Sequence, residues 1–383
     1  MRIVIAPDKF KGSLTAPEVA AHLRAGLLSA DPELAVEVVP MADGGEGTLD
    51  AALAAGYSRH TTTVAGPTGE PVEAPIAVRA GTAVIEMALA SGLAVLPGGV
   101  LKAREASSRG TGELIRFALD LGCTHIVLGV GGSANTDGGA GMLTGLGAAF
   151  QDDGGNPLPD GGAALARLAR IDLRGLDPRL ATTAFTLASD VDNPLLGPNG
   201  AAAVFGPQKG AAPDDVADLD GALARFVEVL GKGLGPQAQQ QAEAPGAGAA
   251  GGVGYAALAV LKAEREPGIA VVLELAELHK KLDGAELVIT GEGSLDEQSL
   301  GGKTPLGVLE AATAAGVPVI AVCGRTSLSR RQVRDSGFAG VYALTDLEPD
   351  VDECIANAGR LLEEVGRTIA ASIGVGVGLN GGL

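Results

Sequence analysis

Ala285-Glu286-Leu287-Val288-Ile289, followed by Thr290-Gly291-Glu292-Gly293-Ser294-Leu295-Asp296-Glu297-Gln298-Ser299-Leu300-Gly301-Gly302-Lys303-Thr304-Pro305, is the stretch from which the fold is read. A short apolar run with strand character empties into an acidic, glycine-rich loop. The loop ends at Thr304 and Pro305, an N-cap and a first-turn proline that open a helix over 306–315. Such a loop brings backbone N–H groups close to phosphates, and the positive end of the helix dipole faces whatever anion it holds. Glu292 and Asp296 offer hard oxygens for a divalent metal, and Lys303 offers a cation. The loop is not a Walker P-loop: counting back from Lys303 and Thr304 puts Gly302 in place but Glu297 where the first glycine belongs. An ordinary surface connection rich in turn residues is the competing reading.

The same texture recurs at the start of the chain. Residues 2–6 are an apolar run stopped by Pro7, and 17–29 carry helical periodicity. A second strand over 34–41 leads into Ala42-Asp43-Gly44-Gly45-Glu46-Gly47 and a helix over 48–55. From about residue 61 the pattern changes to strands at 62–64, 72–79 and 83–87 joined by Gly/Pro turns, as in an antiparallel module. A helix over 111–121 precedes a buried strand at 125–130 and the loop Gly131-Gly132-Ser133-Ala134-Asn135-Thr136-Asp137-Gly138-Gly139. The strand 182–188 ends at Ser189-Asp190-Val191-Asp192-Asn193-Pro194. Residues 235–254 have the lowest complexity and read as a flexible or cleft-lining loop. Helical patterns over 255–262 and 271–282 follow, and β/α alternation resumes at 287–290, 317–323 and 340–344. The expected fold class is α/β with two domains. One is mostly parallel and discontinuous, built from 1–65 plus 285–383, and the other is an α/β domain inserted at 66–284. Five strand-end loops carry Asp or Glu and four are also rich in Gly; ligands of such sheets sit outside the carboxyl ends of the strands.

Composition narrows the function. A chain of 383 residues is long enough for two cores, and 46% hydrophobic residues with 59 Gly and a net charge of −18 describe an acidic globular protein. There is no basic field to neutralise nucleic-acid phosphates, so nucleic acid is excluded as a partner. Cys123, Cys323 and Cys354 form no C-x-x-C, which suits a reduced, cytoplasmic protein without disulfides or a zinc site. The four histidines are scattered, so general-base work falls to carboxylates. The N-terminal apolar run is too short for a signal peptide, and no stretch suits a membrane span.

Several constellations are candidates for chemistry. Asp8-Lys9-Phe10-Lys11-Gly12-Ser13 sets a carboxylate, two ammonium groups and a hydroxyl directly after a strand, a pocket for a carboxylate or phosphate; Ser13 as a helix cap is the competing reading. Gly129-Val130-Gly131-Gly132-Ser133-Ala134 fits G-x-G-x-x-A, but a dinucleotide fingerprint needs a helix to begin at once, and Asn135 to Gly139 prolong the loop with helix-averse residues. Phosphate or substrate contact by Ser133, Thr136 and Asp137 is the preferred reading. Asp190 and Asp192 with Asn193 offer a base for a hydroxyl proton or a magnesium ligand, against an Asx-turn before Pro194. Lys209, in Phe205-Gly206-Pro207-Gln208-Lys209-Gly210, is a candidate to meet a phosphate, against a simple surface loop, and Arg325, after the strand ending at Cys323, is a candidate to clamp a carboxylate, against the common arginine that follows a strand.

Together these motifs resemble one family, the bacterial glycerate kinases of the first type, on Ala6 to Thr15, Met41 to Thr48, Gly129 to Gly139, Ala188 to Leu196, Phe205 to Gly210 and Thr290 to Pro305. The resemblance implies phosphorylation of D-glycerate with ATP and Mg²⁺, mostly to 2-phosphoglycerate with 3-phosphoglycerate as the alternative product. It also implies two α/β domains, one Rossmann- or flavodoxin-like, with the active site in the cleft between them; homo-oligomerisation is left open. Chemistry then suggests the roles. Lys11 and Arg325 hold the glycerate carboxylate, Asp190 orients its hydroxyl, and Glu292 and Asp296 carry Mg²⁺. Lys303 with Thr304, Lys209 and the Gly291 and Gly293 backbone meets ATP, Asp8 is a catalytic candidate beside Lys11 and Asp190, and Lys9, Ser13, Asp43 and Asn193 complete the substrate surroundings. The rivals are a nicotinamide-dependent oxidoreductase and a non-catalytic small-molecule binding protein.

Overall fold

The computed structural model describes residues 1–297 and 303–374, so the 298–302 part of the opening loop lies outside the described residues. The chain divides into two compact units: Met1–Asp43, Asp50–Gly56 and Gly268–Leu383 form the first, Gly44–Leu49 and Tyr57–Pro267 the second. The described strands run in chain order as β1 (Arg2–Pro7), β2 (Ala35–Val38), β3 (Ser58–Ala65), β4 (Pro71–Arg79), β5 (Thr82–Glu86), β6 (His125–Gly129), β7 (Ala149–Gln151), β8 (Arg170–Asp172), β9 (Ala184–Ala188), β10 (Glu264–Glu266), β11 (Leu287–Leu295), β12 (Val319–Thr326) and β13 (Gly340–Ala343).

The first unit holds a five-stranded sheet in the order β13-β12-β11-β1-β2, with every neighbouring pair parallel. Its strands are apolar on both sides because both faces are covered. Ile3, Ile5, Leu287, Ile289, Ile320 and Val322 point to one layer, packed with Leu23 and Leu27 of helix Ala16–Ala30 and Leu362 and Val365 of helix Ala358–Gly374. Val4, Ala6, Val288, Val319 and Ala321 alternate with them and meet Val308 and Ala312 of helix Thr304–Ala314 and Val272 of helix Gly268–Leu275 on the other face. Numbered within the unit, the order is 2-1-3-4-5, that of a flavodoxin-like doubly wound sheet whose topological switch lies between β1 and β11.

The second unit carries a mixed six-stranded sheet, β10-β9-β6-β5-β4-β3, in which β3, β4 and β5 are antiparallel neighbours and β5, β6, β9 and β10 run parallel. A small antiparallel pair, β7 and β8, completes it. Three assignments differ from the sequence reading at the edges. Gly44–Leu49, read with the first domain, falls in the second unit. β3 pairs with β4 along its whole length and so draws 57–65 into the second unit. Helices Gly268–Leu275 and Leu278–Lys281 belong to the first, because Ile269, Val272 and Leu278 are buried in its core. Residues 235–254 are not a flexible loop. They form short helical turns with Ala238, Ala247, Ala249 and Val253 buried, and Gly251 at φ +64° lies so close to the Asn135 carbonyl that a Cβ would come within 2.1 Å of it. The small residues there serve close packing. Among the described residues no helix is long and apolar enough to cross a membrane.

Helices Ala16–Ala30 and Ala358–Gly374 approach through Gly26, where a Cβ would sit 2.2 Å from the Glu363 carbonyl oxygen. A helical Gly→Ala replacement ordinarily stabilises by about 0.5–1 kcal/mol. Here the neighbour is backbone, so Gly26→Ala is expected to destabilise the unit by about 1–3 kcal/mol. A thermal melt shows the sign; an unchanged or raised melting temperature would contradict this packing.

Candidate functional site

In the first unit the candidate residues converge at the switch between β1 and β11. Asp8 follows β1 directly, and its backbone N–H donates to the Gly291 carbonyl at 2.8 Å, continuing the β1–β11 register one residue past Pro7. Its Oδ1 accepts from the Lys9 backbone N–H at 2.7 Å and lies 3.5 Å from Lys9 Nζ. Its Oδ2 accepts from Thr304 Oγ1 at 2.7 Å. Burial raises the Asp8 pKa; the Lys9 ammonium and the Thr304 hydroxyl pull the other way, and the Asp43 carboxylate adds to the rise. Asp8, Lys9, Asp43, Gly291 and Thr304 are thus brought to one place. Thr304 is the first residue of helix Thr304–Ala314, not its cap: Lys303 holds the N-cap position with no side-chain cap bond, and the Thr304 hydroxyl is spent on Asp8.

Other residues of this unit fall differently from the sequence reading. β11 does not stop at Thr290; its parallel pairing with β12 continues through Glu292↔Cys323 and Ser294↔Arg325 to Leu295↔Thr326. Gly291 and Gly293 are therefore strand residues, and their lack of a side chain answers a packing need. A Cβ on Gly291 would lie 2.0 Å from the Val322 carbonyl oxygen, and one on Gly293 3.2 Å from the Lys11 backbone nitrogen. Glu292 stands half-buried on β11 and Asp296 half-buried just after it. Arg325 lies within β12, exposed, with Nε donating to Ser294 Oγ at 3.3 Å. Lys11 is exposed. Ser13 caps no helix: Thr15 does so in a capping box with Glu18, and Ser13 Oγ donates to the Ile355 carbonyl at 3.1 Å.

In the second unit the loop after β6 is a buried polar knot. Asp137 is 1% exposed. Its carboxylate accepts from the Ser108 N–H (2.8 Å) and hydroxyl (2.8 Å), Asn135 Nδ2 (2.8 Å), and the N–H groups of Gly139 (3.0 Å) and Gly141 (3.1 Å). So many donors make it a brace for the loop. Lys209 is likewise turned inward: it is 1% exposed, and its Nζ donates to Ser133 Oγ at 2.8 Å and to the Asn135 carbonyl at 2.5 Å. Its ammonium is engaged by the loop after β6. Burial lowers its pKa to about 7, with the Asp137 carboxylate opposing the shift. Thr136 is fully buried. The helix after this loop begins only at Ala140, beyond the five residues that separate it from a dinucleotide fingerprint.

At the end of β9, Asp190 is exposed, Asp192 pairs with Arg265 at 2.7 Å, and Asn193 Nδ2 donates to the Asn199 carbonyl at 2.8 Å. Glu86 was missed by the sequence reading. It ends β5, is 3% exposed, and accepts from the N–H groups of Gly47 and Leu49, both at 3.2 Å, so it shapes the loop that follows Asp43. A lone carboxylate closing the apolar run Ala83-Val84-Ile85 was its signal. Among the described residues no group of three or more His, Cys, Asp or Glu could hold a metal ion by itself.

Comparison with known proteins follows the same residues. A family model described as the glycerate kinase family matches residues 3–374. The glycerate kinase of Bacillus subtilis (strain 168) is 43% identical over 376 residues, covering 97% of this chain and 98% of the relative. The glycerate 2-kinase of Escherichia coli (strain K12) is 43% identical over 381 residues, covering 98% and 99%. A crystal structure of a Salmonella typhimurium LT2 protein assigned as glycerate kinase 2 superposes with a TM-score of 0.84 at 40% identity, over 98% of this chain and 99% of that one.

The raised pKa of Asp8 fixes a sign. Between its ordinary and its folded value the native state binds the extra proton, so stability falls as pH rises through that window, and the cost of the buried charge is in full force above it. Asp8→Asn, which keeps hydrogen-bonding groups for Lys9 and Thr304, is expected to melt no lower than wild type at pH 7.5, with any advantage shrinking towards pH 4. A variant several degrees less stable at pH 7.5 would contradict this. Asp137→Ala strands buried donors and is expected to cost at least about 3 kcal/mol, seen as a large loss of melting temperature; an unaffected melt would remove its bracing role.

Proposed function

The chain belongs to the glycerate kinase family, and on that premise we propose that it transfers the terminal phosphoryl group of ATP, with Mg²⁺, to a hydroxyl of D-glycerate, giving 2-phosphoglycerate. The observation that carries the reading is the near-complete match to that family together with a buried, proton-avid Asp8 tied to the first residue of a helix at the switch point of a parallel sheet. Perturbed carboxylates in such positions are characteristic of working sites. The name of the Escherichia coli relative, a glycerate 2-kinase, supports the 2-phosphate as product.

Phosphoryl transfer asks a protein for positioning and for charge, not covalent chemistry. Mg²⁺ is usually held by one or two carboxylates, with phosphates and waters completing its shell. Glu292 and Asp296, at the carboxyl end of β11, fit that donor set without a dedicated protein cage. They would hold the ion, which supplies neutralisation of the phosphate oxygens. Lys303 and the N-terminus of helix Thr304–Ala314 would meet the ATP phosphates, and Asp8 would keep Lys9 and Thr304 oriented beside them. Lys11 and Arg325, both exposed, would hold the glycerate carboxylate, with Asp43 as a further polar contact. Asp190, exposed at the end of β9, would orient and deprotonate the attacking hydroxyl.

ADP release measured with ATP, Mg²⁺ and D-glycerate tests the reading. Release is expected to require all three and to stop on adding EDTA. Lys11→Ala and Asp190→Asn are each expected to lower kcat/KM for glycerate by about 100-fold or more; near wild-type values in both would overturn these roles. Coupling the product to enolase without phosphoglycerate mutase is expected to give signal, and a requirement for mutase would indicate the 3-phosphate.

A further inference from the structure

Lys209 and Ser133 form a contact whose direction is fixed by chemistry. A lysine ammonium has three donors and no acceptor, so in its 2.8 Å bond Ser133 Oγ must accept. The single hydroxyl proton of Ser133 is thereby turned away from the lysine. Two further atoms of the same loop, Asn135 Oδ1 and Thr136 Oγ1, are buried without a hydrogen-bond partner. Leaving a buried polar atom unpaired costs about 1–3 kcal/mol, so a loop holding several of them is built for more than its own folding. It stands at the carboxyl end of the parallel strand β6, where ligands of such sheets bind.

We infer that Lys209 is a positioning residue that commits Ser133 to donate its hydroxyl proton to an oxyanion of a bound substrate, either the carboxylate of the hydroxy acid or a phosphoryl oxygen of the nucleotide. The inference rests on the kinase reading above. It explains why a lysine is kept in a desolvated place: it acts through Ser133. The charged group acting on it from the loop is Asp137, whose oxygens are already occupied by their own donors. Loss of the Lys209 proton would give the amine a lone pair able to accept from Ser133, and the outward donor would be lost. Burial brings that titration to about pH 7.

The test is the pH dependence of KM for D-glycerate and for ATP, each with the other saturating, between pH 6 and 9 in wild type and Ser133→Ala. Titration calorimetry of each substrate gives the same comparison without turnover. The expected result is a rise of about 10-fold or more with pH for one substrate in wild type, which identifies the oxyanion, and a high, pH-independent value for that substrate in Ser133→Ala. Lys209→Met is expected to resemble Ser133→Ala; if it fails to fold, the Ser133→Ala comparison still decides. Loss of structure is excluded as the cause by equal melting temperatures of wild type and Ser133→Ala. Wild-type values flat with pH for both substrates, or a pH dependence that persists in Ser133→Ala, would overturn the inference. Absence of glycerate-dependent ADP release at every pH would instead defeat the kinase reading.

Discussion

The parallel pairing of β1 with β11 is the constraint on which the first unit depends. Ile3 to Pro7 run in register with Leu287 to Gly291, and the pair is apolar on both faces because helices cover both. The connections turn to opposite faces at this pair, so a crevice opens at its carboxyl end. Asp8 continues the register into that crevice, and Thr304 arrives from the head of the following helix to bond it. Gly291 is required because the Val322 carbonyl leaves no room for a Cβ. Remove the register and Asp8, Lys9 and Thr304 have no reason to meet.

Each unit buries a titratable group where a surface group would be cheaper. Asp8 in the first is raised in pKa and Lys209 in the second is lowered, both chiefly by loss of water. Hydrogen bonds hold each in place but do not restore its full hydration. Folding alone gains little from such arrangements, since a buried charge costs more than its neighbours return. Asp8 directly follows the parallel strand β1, and Lys209 bonds the loop that follows the parallel strand β6; in a chain of the glycerate kinase family those places give them a use.

The periodic features were the legible ones. The mixed α/β class with parallel sheets was readable from apolar runs ending in acidic loops at Pro7, Val130, Ala188 and Thr290, and the family from the motifs those loops carry. What could not be read were pairings distant in sequence. Nothing local tells that β11 extends to Leu295, since Gly291 to Ser294 have the composition of a loop and are held in the sheet by β12. Nor does local sequence reveal that Lys209 faces Ser133, or that Asp137 is consumed by Ser108 twenty-nine residues earlier. The small residues of 235–254 suggested mobility because composition does not distinguish a chain that is loose from one that is tightly packed.

The central claim is a phosphoryl transfer to D-glycerate. The most direct measurement is a ³¹P spectrum of the wild-type protein incubated with ATP, Mg²⁺ and D-glycerate. The account predicts loss of the γ-phosphate signal matched one for one by a 2-phosphoglycerate signal and by ADP. An unchanged ATP spectrum, or inorganic phosphate as the only new phosphorus signal besides ADP, would contradict it.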